Sequence, residues 1–293
     1  MTIPAPPPEL PALVATEVDE PLQLAVARTI KARVAGMFGD VFVVDEDGIR
    51  YLRFGHVDAA DQSGIDPKQP SKVQFEYVRI AALALDRHDV PKPARRALVV
   101  GLGGGAFARL LIERVAHVAV DAVEIDPVVV DVARRWFALP ITPRLQVHVD
   151  DGARFMTTAK AGYDVVLLDA FSGDDMPSAL STAAFFHDVH RVLADDGVVV
   201  MNVALIKDGA ADAVTRRFAQ TFPGCVVITA KTEENRILVG ARTAQAAERW
   251  RSAAVRSPAS LGFDVLKDVE SFVACPAVTT AGGETAAGKS RQV

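Results

Sequence analysis

The chain has 293 residues, half of them apolar, and a formal net charge of −5 with acidic and basic residues interspersed. That much apolar chain supports a full core in one large domain, or one large and one small. It carries no basic field of the kind nucleic acid selects, and no apolar run approaching the ~20 residues of a membrane span.

The chain opens with a proline-rich arm, "MTIPAPPPELPAL", which lacks the basic start and apolar core of a secretory signal. "LQLAVARTIKARVAG" has helical spacing and stops at a glycine, so an arm and helix are expected over residues 1–35. The period then changes. "VFVVDEDGIRYLRFG" is two β-rich runs around Asp47-Gly48, a strong hairpin signal, and "HVDAADQSGIDP" continues extended. A small antiparallel β unit is therefore expected over 36–69, followed after Pro70 by a helix in "SKVQFEYVRIAALALDRH".

From residue 95 the chain alternates apolar runs with amphipathic stretches: "RALVVG", "VAVDAVEI", "LQVHV", "YDVVLLDA", "GVVVMNV" and "CVVIT" are the strand candidates. Such continuous Val/Leu/Ile runs predict an α/β fold, a doubly wound and mostly parallel sheet covered on both faces, filling residues 70–274. The run "VVVMNVALI" is interrupted by Asn202, and "NRILVGA" reads as a strand antiparallel to "CVVIT". The tail, 275–293, is small and polar and is expected to be disordered. Cys225 and Cys275 are too few and too far apart for a disulfide framework or a metal site, which makes a reducing, cytoplasmic setting the expectation. His187 and His190 share a helix without a third ligand nearby, and Arg95 and Arg96 are expected in a surface loop.

In open α/β sheets ligands bind beyond the carboxyl ends of the strands, near the switch in strand order. After the first strand stands "GLGGGA", where Gly101, Gly103 and Gly105 permit close backbone approach and the following helix offers N–H groups. After the second stands "EIDP": Glu124 suits a pair of ribose hydroxyls, while Asp126-Pro127 reads as a helix start. After the third stands "VDDGARF", where Asp151 suits an exocyclic adenine amine and Asp150 a helix cap. A dinucleotide accounts for the glycines and Glu124 but not for the acid after strand three; a nucleoside sulfonium accounts for all. After the fourth, Asp169 ends a central strand and a loop with Asp174 and Asp175 follows, long enough to serve as a lid.

With these motifs together, the sequence resembles the spermidine synthase (polyamine aminopropyltransferase) family within the class I methyltransferase fold. The resemblance runs over about residues 38–241 and rests on "DQS", "F-x-Y", "GLGGG", "VEIDPVVVDVAR", "DDGARF", "YDVVLLDAF" and "DGVVVMN". It implies a transferase that uses decarboxylated S-adenosylmethionine, or S-adenosylmethionine itself, as co-substrate, without a metal. It places Gln62, Gly101, Gly103, Gly105, Glu124, Asp151 and Gly152 on the donor. Asp169 and Asp174 become catalytic, and Tyr77 and Asp175 substrate-binding; Arg79, a departure from the family, is expected to bind substrate as well, at the donor's amino-acid end. It also implies a small-molecule amine or other acceptor and a homodimer as the expected assembly, while charge and hydropathy lead to the expectation of no nucleic-acid or membrane partner.

The sequence departs from that family at three places. Arg79 stands where an acid is common, Ala170 and Phe171 replace hydroxyls after Asp169, and the late loop "ITAKTEENR" carries Lys231. Cations repel a polyamine and suit a donor that keeps its carboxylate, or an acidic acceptor. Aminopropyl transfer is the leading expectation, and methyl transfer to an unknown small acceptor the alternative. A non-catalytic nucleoside-binding module and a nicotinamide oxidoreductase follow.

Overall fold

The computed structural model describes residues 28–85, 95–170, 177–204, 210–233, 235–254 and 261–275. They form two sheets. The first is antiparallel, in the order β1-β2-β3-β4: Thr29–Gly36, Gly39–Glu46, Ile49–Phe54 and Asp61–Ile65. Asp47 and Gly48 both take positive φ, 52° and 81°, as the tight β2–β3 hairpin requires. β1 corrects the expectation of a helix ending at residue 35. Its exposure alternates with period two, Ala32 and Val34 inward and Lys31 and Arg33 outward, and it pairs with β2 along its length. The proline-rich arm lies outside the described residues.

The sheet leans on the second unit through α3 (Pro127–Trp136). Val41, Val43, Leu52 and Ile65 meet Val129, Val132 and Phe137 in one buried cluster. The Asp126 side chain joins the two units: one oxygen caps the Val128 N–H at 2.8 Å and the other accepts from Met37 N–H at 2.6 Å. The cap and the proline at the first helical position follow the sequence expectation.

The second sheet has eight strands in the order β12-β10-β11-β9-β8-β5-β6-β7. β5 (Arg96–Val100), β6 (Ala119–Glu124), β7 (Leu145–Val149), β8 (Tyr163–Leu168) and β9 (Leu193–Ala204) are parallel neighbours. β10 (Val226–Ala230), β11 (Asn235–Ala241) and β12 (Val269–Ala274) extend them antiparallel. One face is covered by α1 (Glu76–Ala81), α2 (Ala106–Arg114) and α7 (Ala244–Ala254), the other by α4 (Gly152–Thr158), α5 (Ala183–Val192) and α6 (Ala210–Thr221). Strand order reverses at β5, between β6 and β8, and a crevice opens there. Arg96 is the first residue of β5, not a loop residue, and its guanidinium lies 4.3 Å over the Tyr163 ring. No helix among the described residues is long and apolar enough to cross a membrane.

β12 was not foreseen, and it corrects the reading of the cysteines. Cys225 and Cys275 flank β10 and β12, their Cα atoms 5.5 Å apart, and form a disulfide. Chain separation concealed the pair; sheet registry joins it. The cysteine count thus gives no support for a reducing compartment. The rest of the tail, from residue 276, lies outside the described residues.

Closing a loop with a sequence separation of 50 removes about 4 kcal/mol of unfolded-state entropy in the chain-entropy account. Unreduced protein should show no free thiol to Ellman's reagent under denaturing conditions. Cys225→Ser should lower unfolding free energy by up to that amount in urea titrations.

Candidate active site

The crevice is a cavity of about 1420 Å³, walled by the ends of β5, β6 and β8, by α1, and by the first sheet. Gly101 has φ +90°, and a Cβ there would lie 2.1 Å from the Asp169 backbone oxygen. Only glycine fits. What comes close to the first glycine is therefore the backbone at the end of β8, where Asp169 N–H donates to the Val100 carbonyl at 2.8 Å. Gly103 faces the cavity, where a Cβ would meet nothing nearer than 4.0 Å, and Gly105, in the left-handed region at φ 75°, caps α2.

Glu124, last residue of β6, is held by the glycine loop. Its Oε2 accepts from Leu102 N–H at 3.0 Å and Gly103 N–H at 3.4 Å, and its Oε1 from Asp126 N–H at 3.1 Å. Burial pushes its pKa up, against the pull of those N–H donors. The loop donors expected to be free for a ligand are thus partly used, and the loop presents a carboxylate instead of a bare N–H cradle. That arrangement receives hydroxyls and repels a pyrophosphate. Asp151 serves as N-cap of α4, accepting from Arg154 N–H at 2.8 Å through Oδ1, and both it and Gly152 line the cavity. Asp150, expected as the cap, instead pairs with Arg154 and also lines the cavity. Gln62, on β4, lines the opposite wall.

Asp169 lies deeper. Asn202 Nδ2 donates to its Oδ1 at 2.9 Å, and the Tyr77 hydroxyl donates to the same carboxylate. Burial raises the Asp169 pKa, opposed by those two bonds. Burial also drives the Tyr77 phenol well above its ordinary value, helped by the Asp169 charge. Asn202 in turn accepts from Asn235 Nδ2 at 2.8 Å. In the sequence Asn202 stands out only as a break in an apolar run, and that polar interruption was the available signal. Glu233, which also lines the cavity, had no such signal.

Arg79 is a correction. Its guanidinium makes two bonds to Asp268, at 2.6 and 3.0 Å, and donates to the carbonyls of Val73 and Gln74 at 3.0 and 2.7 Å. It is absent from the cavity wall, as is exposed Lys231. The helix turns Arg79 toward a partner 189 residues away in sequence, neither into the site nor into open solvent. His190 bonds the Arg242 carbonyl at 3.0 Å. Asp174 and Asp175 lie outside the described residues.

A spermine/spermidine synthase domain model matches residues 75–232. The chain belongs to that family. It is 31% identical over 232 residues to the polyamine aminopropyltransferase of Chromobacterium violaceum, covering 78% of this chain and 86% of that one. A probable spermidine synthase from Corynebacterium glutamicum superposes with a TM-score of 0.65 at 25% identity, over 73% of this chain and 81% of that one. Human methyltransferase-like protein 13, solved in complex with SAH, matches with a TM-score of 0.51 at 27% identity, over 62% of this chain and 92% of that one. The fold is the Rossmann-like methyltransferase fold, and the chain is a transferase.

Because its folded pKa is raised, Asp169 binds its proton more readily in the fold than in the unfolded chain. The stability linked to it is complete at low pH and is lost as pH rises through the folded pKa. Asp169→Asn, which keeps the shape and an acceptor oxygen, should melt above wild type at about pH 8 in calorimetry. The gap should close as pH falls below the carboxylate range.

Proposed function

We propose that the enzyme transfers an aminopropyl group from decarboxylated S-adenosylmethionine to a small-molecule amine. One observation carries this reading. Asp61, Glu124, Asp126, Asp150, Asp151, Asp169 and Glu233 line the cavity, and no Lys, Arg or His stands among its described lining residues. Such a wall attracts a sulfonium and ammonium groups and repels a carboxylate. Arg79, the residue that favoured a carboxylate-bearing donor in the sequence, has its guanidinium engaged by Asp268.

In this reading Glu124 receives the ribose hydroxyls and the outer oxygen of Asp151 the adenine amine. The acceptor nitrogen attacks the propyl carbon beside sulfur; the new N–C bond forms as the C–S bond breaks and the thioether leaves. Asp169 takes the proton that the amine sheds. A carboxylate with a raised pKa is a better base for that proton than an ordinary one, and the Tyr77 and Asn202 donors aim it. From the family resemblance, Asp174 is proposed as a further catalytic carboxylate and Asp175 as a substrate-binding one. Likeness to human methyltransferase-like protein 13, solved in complex with SAH, favours methyl transfer as the second reading.

The deciding experiment incubates purified protein with each donor separately and a panel of di- and polyamines, read by mass spectrometry. Methylthioadenosine from the decarboxylated donor is the expected product; S-adenosylhomocysteine from the intact donor would overturn the reading in favour of methyl transfer. Asp169→Asn should cut turnover ~10²-fold or more while leaving nucleoside affinity nearly intact. Arg79→Ala should cost about 2–3 kcal/mol of stability through the lost Asp268 pair, with the order of donor affinities unchanged by calorimetry.

A further inference from the structure

The β10–β11 turn touches the site at two points. Glu233 Oε1 accepts from Glu76 N–H at 2.7 Å and its Oε2 from Tyr77 N–H at 2.9 Å, so this carboxylate caps the start of α1. The bond is returned: Glu76 Oε2 accepts from Thr232 N–H at 2.8 Å and Glu233 N–H at 3.2 Å. Two carboxylates set side by side ordinarily repel. Here each faces the backbone donors of the other's segment, and both remain satisfied.

The same turn reaches Asp169 from its other side. Asn235 N–H donates to the Glu233 carbonyl at 2.8 Å, Asn235 Nδ2 to Asn202 Oδ1 at 2.8 Å, and Asn202 Nδ2 to Asp169 Oδ1 at 2.9 Å. Tyr77, whose backbone Glu233 holds, supplies the second bond to Asp169. The bonds close into a ring: Glu233, Tyr77, Asp169, Asn202, Asn235 and back to Glu233.

We propose that Glu233 is a positioning residue, which with Glu76 clasps the start of α1 to the β10–β11 turn and so keeps the Tyr77 hydroxyl on Asp169. The inference rests on the aminopropyl reading only for its kinetic readout. Glu76 is engaged with the turn through Oε2 and Glu233 with the helix through both oxygens, so neither needs to touch an acceptor to govern turnover. A side chain that orients a base acts on the transition state more than on donor binding.

Glu233→Gln exchanges one acceptor oxygen for a donor facing an N–H, and breaks half the cap. It should lower kcat about 10-fold or more, beyond whatever donor KM changes through the loss of one charge from the cavity wall. In a Tyr77→Phe background the same substitution should have little further effect, because the hydroxyl it positions is gone. A merely structural role predicts equal losses in both backgrounds, and that result would overturn the proposal. Glu76→Gln, which weakens the opposite half, should repeat the pattern and serves if the first variant is insoluble.

A second readout needs no turnover. The chain has three tyrosines, Tyr51, Tyr77 and Tyr163, so protein labelled with 3-fluorotyrosine gives a fluorine spectrum that Tyr77→Phe assigns. The Tyr77 resonance should move in Glu233→Gln in the direction it moves in Asp169→Asn, with the other two in place. If Asp169→Asn moves it and Glu233→Gln does not, the clasp does not position Tyr77. Should wild type form no methylthioadenosine, the proposed reaction fails while this spectrum still decides the clasp.

Discussion

The site depends on how closely the ends of β5 and β8 approach each other. Gly101 and Asp169 lie backbone to backbone, with no room for even a methyl group between them. That contact puts the glycine loop, which holds Glu124, directly beside the strand end that carries Asp169. The wall that carries Glu124 and the strand end that carries Asp169 are therefore parts of one junction. A side chain at position 101 would force the two apart and displace both sets of groups at once.

Around that junction burial makes the carboxylate charges costly. Glu124, Asp169 and Glu233 all have pKa values raised by burial. Each is restrained from full neutralisation by N–H or O–H donors supplied by the chain itself. In the proposed reading a cationic ligand offsets what burial imposes on these carboxylates. Of the guanidinium groups nearby, Arg79 pairs with Asp268 away from the cavity wall, whereas Arg154 and Arg53 pair with the wall carboxylates Asp150 and Asp61, Arg53 also with Glu46.

Much of this was legible in the sequence, for a definable reason. The parallel strands announce themselves as apolar runs, and their carboxyl ends are adjacent by topology, so acids following successive strands share one crevice. Contacts between segments far apart in sequence carry no such signal. Arg79 and Asp268, Glu76 and Glu233, and Cys225 and Cys275 meet only after β12, α1 and the β10–β11 turn have packed. β1 was misread for a different reason. A run of Ala, Val, Lys and Arg satisfies both a 3.6-residue and a two-residue period, and its pairing with β2 decides between them.

The disulfide has a topological consequence. Residues 225 to 275 form a covalent ring, and Glu233, Asn235, β11, α7 and Asp268 all lie within it. A single backbone cut inside that ring releases nothing: both new ends stay tethered, one through Cys225 and the other through Cys275, and the sheet pairing of β10 with β11 and β12 holds them in register. A nicked molecule would therefore migrate intact on a gel until thiol is added, and mass alone would report the break only as one added water.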